Sequence, residues 1–90
     1  MPRYIVERTF SEGLHIPMNE EGEAICSNVN ATNGTLGVNW VHSYVSDDKS
    51  KTFCVYDGPD PEAIRKAAER NGLPVDRITR VSALDPYFYR

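Results

Sequence analysis

The chain opens on an aromatic and β-branched run, Tyr4-Ile5-Val6, that continues in alternation to Phe10 and predicts a strand over 3–10. Tyr4, Val6 and Phe10 share one face of it, and Ile5, Glu7 and Thr9 share the other. Residues 11–17, with Gly13, His15 and Pro17, predict a loop. From 19 to 32 the period lengthens, and Ala24, Ile25, Val29 and Thr32 recur at helical spacing. Asn19 suits the cap of that helix, Glu20 and Glu21 suit its first turn, and Asn33-Gly34 offers a stop. Gly22 counts against it. Two short strands follow, Trp40-Val41-His42-Ser43-Tyr44-Val45-Ser46 and Thr52-Phe53-Cys54-Val55-Tyr56, around the polar turn Asp47-Asp48-Lys49-Ser50-Lys51. The second helix has the clearest signals. Gly58-Pro59-Asp60-Pro61-Glu62 starts it, Ala63, Ile64, Ala67 and Ala68 form a narrow apolar stripe, and Asn71-Gly72-Leu73-Pro74 ends it. A last strand is predicted from Arg77 to Leu84.

The order β-α-β-β-α-β over a single domain, 1–90, predicts an α+β, ferredoxin-like fold. Right-handed crossovers place both helices on one face of a four-stranded antiparallel sheet. The other sheet face is left open. If Phe53 and Val55 join Val41 and Val45 against the core, strict alternation sends Trp40, His42, Tyr44, Cys54 and Tyr56 to that open face. One register pairs Tyr44 with Cys54 and His42 with Tyr56, which makes His42 and Cys54 diagonal neighbours roughly 7–8 Å apart. A face with one Trp and two Tyr exceeds what a soluble monomer shows to water. A second copy of the same sheet, related by a two-fold axis, is the simplest cover, so a homodimer or higher assembly is expected.

Composition narrows the function classes. The charge balance of 10 basic and 13 acidic residues gives a net charge of −3 with no basic run, which argues against a nucleic-acid partner. No segment approaches the ~20 apolar residues of a membrane span, and the first residues lack the apolar stretch of a signal peptide. A cytoplasmic location is therefore expected. In that compartment the two cysteines are thiols or ligands rather than a disulfide, and the sequons at Asn30 and Asn33 carry no glycan.

The sharpest candidate constellation is His42 with Cys54. An imidazole and a thiolate suit a borderline divalent metal such as nickel, zinc or copper, with carboxylates completing the sphere. The same residues would also serve as packing in a dimer interface, with Cys54 a small hydrophobe. His15, in the first loop near Glu12, is a second candidate imidazole, against the plainer reading of a solvated loop residue. Asp47, beside Asp48, offers oxygen ligands at the hairpin tip, although turns favour Asp for local hydrogen bonds. Glu7 is a mid-strand carboxylate that needs a partner: Arg8, Arg80 or a histidine. Cys26 reads as a core helix residue. Two enzymatic patterns are weak. Pro2 could expose a basic N-terminal amine of the tautomerase type, but nothing else supports it. Ser43 adjoins His42 and so points to the opposite face.

With Tyr4-Ile5-Val6-Glu7-Arg8, Trp40-Val41-His42-Ser43-Tyr44-Val45, Phe53-Cys54-Val55-Tyr56 and Ala67-Ala68-Glu69-Arg70-Asn71-Gly72-Leu73-Pro74, the chain resembles a family of small bacterial proteins. That family is known as a domain of unknown function, some of whose members are described as nickel-binding proteins. The resemblance runs from the first strand to Val81, and the first loop and the tail from Pro86 lie outside it. It implies a ferredoxin-like fold, a homodimer and nickel bound at the dimer surface, for sequestration or tolerance, and it implies no reaction. His42 and Cys54 fall at matched motif positions. The competing class is a small dimeric α/β-barrel enzyme, of oxygenase or isomerase type, with His42, Tyr44 and Glu7 as acid and base groups in a sheet-enclosed cavity. A plain ligand carrier or interaction module is a third.

Overall fold

The structure is a computed structural model that describes residues 1–13 and 20–87. Six elements follow one another: β1 (Arg3–Thr9), α1 (Glu20–Thr35), β2 (Asn39–Val45), β3 (Lys51–Asp57), α2 (Pro61–Asn71) and β4 (Arg77–Val81). The strands pair antiparallel in one sheet, in the order β2-β3-β1-β4. This is the expected ferredoxin-like α+β arrangement, with its helices against one sheet face.

Helix α2 forms where its punctuation places it. The Asp60 carboxylate accepts the Ala63 N–H at 2.8 Å, and Pro61 fills a first-turn position where its missing N–H costs nothing. At the far end Gly72 takes the left-handed conformation, and the Gly72 and Leu73 amides donate to the Glu69 and Ala68 carbonyls. Helix α1 runs past its expected stop at Asn33-Gly34. The Asn33 side chain is buried and accepts the Asn71 Nδ2–H at 3.1 Å, which ties α1 to α2 and makes the position helical rather than terminal. Gly37, at φ +70, ends the helix instead, with Val38 N–H closing onto the Asn33 carbonyl. Strand β4 stops at Val81, short of the expected Leu84.

Tyr4, Val6 and Arg8 of β1 face the helices, opposite Tyr56, Cys54 and Thr52 of β3. Tyr4, Val6, Cys54 and Tyr56 join Val38, Ile64 and Ala67 in the core. The small Ala67 and Ala68 let α2 sit close to the sheet. Strand β2 carries an irregularity between Trp40 and His42. Trp40 lies opposite Tyr56, but His42 then lies opposite Val55, and Tyr44 opposite Phe53. One extra residue, Val41, reverses the alternation. The shared open face is thereby corrected. Only His42 and Tyr44 reach it, with Phe53 and Val55, whereas Trp40, Cys54 and Tyr56 lie on the helix-facing side. No described helix is long and apolar enough to cross a membrane.

Candidate functional site

On the open face, His42 and Tyr44 project from the edge strand β2 two residues apart. Their rings meet edge to face, with centroids 5.1 Å apart and planes at 86°. Beside them Arg3, Ile5, Val55 and the segment Val81–Ala83 border a shallow groove of about 360 Å³. His42 is exposed, and Tyr44 keeps 63% of its surface in water. The face therefore offers one oriented imidazole among aromatic and aliphatic side chains.

The bulge separates His42 from Cys54. Cys54 is buried among the core residues, and its thiol sits 3.6 Å from the Thr52 hydroxyl on the same side of the sheet. An ion bound at His42 on the open face does not reach it. Glu7 does lie on the open face, half-buried, with Phe53 and Arg77 as its cross-strand neighbours. Arg8 and Arg80, the partners expected for Glu7, occupy the other face, and among the described residues no ion pair joins Glu7 to its neighbour Arg77. Asp47 is exposed in the hairpin turn that follows β2, beyond the strand that carries His42 and Tyr44. Its neighbour Asp48 holds the turn. It accepts the Ser50 N–H and the hydroxyls of Ser46 and Ser50. Those bonds, the backbone one foremost, lower its carboxyl pKa to about 2. His15 lies outside the described residues. Among the described residues no three His, Cys, Asp or Glu side chains come together as a set able to hold a metal ion.

Arg8 is the residue that the sequence reading undervalued. It shares strand parity with Tyr4 and Val6, and a cation on the core-facing parity was the available signal. Only 2% of its surface is exposed, and its guanidinium carbon lies 5.6 Å from the centre of the Tyr56 ring. Burial pushes the Tyr56 phenol up, and the charge of Arg8 opposes that shift. Trp40, also on this side, donates its Nε1–H to the Ser43 hydroxyl at 2.8 Å.

A protein-family model described as "Nickel responsive protein SCO4226-like" matches residues 4–81. The chain belongs to this family. The crystal structure of SCO4226 from Streptomyces coelicolor A3(2) has the same fold, with a TM-score of 0.70 over 90% of this chain and 96% of that one. The two are 18% identical, so the likeness speaks for the fold. No curated protein sequence matches the chain.

Proposed function

We propose that this protein binds nickel for sequestration or tolerance, and that it does so as a homodimer paired through the open sheet face. The observation that carries the reading is His42, an exposed imidazole set by Tyr44 on an uncovered sheet face, in a chain of a family described as nickel responsive. Imidazole is a good ligand for nickel. One chain supplies too few donors among its described residues, so the reading draws the remaining ligands from a second copy across the face. Isologous pairing presents each His42 to the same surface of its mate. Nickel when bound would be held as a cation by these side chains, and no reaction is required of it.

Calorimetric nickel titration of the protein without a histidine tag tests the reading. His42→Ala should weaken nickel at least tenfold, and acidification should weaken it in the wild type, because the proton and the metal compete for one nitrogen. Unchanged affinity in His42→Ala would move the site away from β2, with His15 and its neighbouring carboxylates next to be tested.

A further inference from the structure

A buried guanidinium without a carboxylate is costly, since removal from water takes several kcal/mol per ion even after relaxation. Arg8 is in that position. Its Nε and Nη1 are sealed from water and have no hydrogen-bond partner, and no carboxylate among the described residues forms an ion pair with it. The Tyr56 face compensates in part. Beside Arg8, between α1 and the helix-facing side of the sheet, lies a cavity of about 150 Å³. Cys26 and Val29 of α1 roof it, and Arg8, Trp40, Ser43 and Thr52 line the sheet side. Helix α1 leaves this space because its only buried residues are Gly22 and Asn33, neither of which fills a core.

We infer that this cavity is a binding site for a small monocarboxylic acid with an apolar body, its carboxylate held by Arg8. One buried cation matches one negative charge, and the planar guanidinium suits a carboxylate. The apolar walls match a hydrocarbon body and disfavour a fully hydrated anion such as sulfate or phosphate. The volume sets the size. A water occupies about 30 Å³ of liquid, so the space suits a molecule of roughly five waters' bulk, a short-chain acid rather than a fatty acid. Because the free nitrogens are sealed, binding includes a turn of the guanidinium from Tyr56 toward the acid. The wall exposes only apolar atoms in the free protein, and the Ser43 and Thr52 hydroxyls are engaged there as acceptors of the Trp40 Nε1–H and the Cys54 thiol, so the guanidinium is the group that must reach the acid. This site is separate from His42 and does not rest on the nickel reading.

Trp40 is the only tryptophan of the chain and lines the cavity, so its emission reports occupancy directly. Titrated with pentanoate, the wild type should show a saturable change in Trp40 emission and matching shifts of the Tyr56 ring signals in NMR spectra. The neutral, equally bulky pentanamide should bind about tenfold more weakly or worse, the loss of a charge-assisted pair. Cys26→Phe, which fills the cavity from the half-exposed helix without touching Arg8, should abolish the response. Arg8→Met should erase the preference for acid over amide. The acid–amide comparison needs no variant, so it decides even if Arg8→Met fails to fold. Equal binding of acid and amide, no saturable response, or sulfate competing as well as pentanoate would each overturn the proposal.

Discussion

Arg8 and Cys54 are diagonal neighbours on the helix-facing side of the sheet, and each sets a quantitative expectation. A cation–π contact is worth up to about 2 kcal/mol, less than the several kcal/mol lost in burying the charge. Without ligand, Arg8→Met, which keeps the stem and drops the charge, should therefore raise stability by about 1–2 kcal/mol in urea unfolding. A fall of similar size would mean that the guanidinium has a partner in the free protein. Cys54 has the opposite character, a small side chain filling core volume beside Val6. Cys54→Ala should cost about 1 kcal/mol through the cavity it leaves. It should leave nickel affinity unchanged, since the thiol lies across the sheet from His42. Alkylation of Cys54 should be equally slow with and without nickel; metal-dependent protection would show that the thiol does reach the ion.

At the scale of elements, punctuation decides how the two helices and the hairpin respond. Gly34 lies inside α1 with no atom within 4 Å of where a Cβ would stand, so Gly34→Ala should stabilise by about 0.5–1 kcal/mol. That corresponds to a rise of roughly 2–8 °C in the thermal midpoint. Gly37→Ala should do the reverse, because φ +70 at the helix end strains any L side chain. In the hairpin turn, the Asp48 carboxyl is depressed to about 2 by its serine partners. Its contribution is present above the ordinary carboxylate range and is lost as pH falls through about 2. An NMR titration should place its midpoint there, and Ser50→Ala should move it up. These elements were legible because their signals are local: Asp60 before Pro61, Gly72 after Asn71, Asp and Ser in the turn. Order and fold class followed from them. Helix α1 ran longer than its Asn33-Gly34 stop because Asn33 found a partner, Asn71, on a distant helix. The candidate site was legible only by half. His42 and Tyr44 reached the open face, but β3 turns Cys54 and Tyr56, not Phe53 and Val55, to the core by pairing them with Val6 and Tyr4. Strict alternation also cannot foresee the extra residue at Val41 that parts Trp40 from His42.

At the scale of the whole molecule, the question is what a chain of this size gains from a second copy. Among the described residues the largest fully buried side chains are Ile64, Val6 and Asn33, and a domain of this size gains from burying more apolar surface. Meanwhile one sheet face presents Tyr44 and His42 to water, above a half-buried Phe53 and Ile5. Pairing two such faces would bury aromatic area at both copies at once, and each Å² of apolar surface removed from water contributes about 25 cal/mol. Light scattering at micromolar concentration should then give twice the chain mass, with or without nickel. Tyr44→Lys should give the single-chain mass, because two-fold pairing brings each new cation onto a face carrying its copy, and that variant should lose thermal stability together with nickel affinity. Binding of pentanoate should survive in the same variant, since Arg8 and its cavity lie on the helix-facing side. A wild type that scatters as a single chain would remove the dimer, and with it the two-copy ligand set, while leaving the Arg8 pocket to stand or fall on its own measurements.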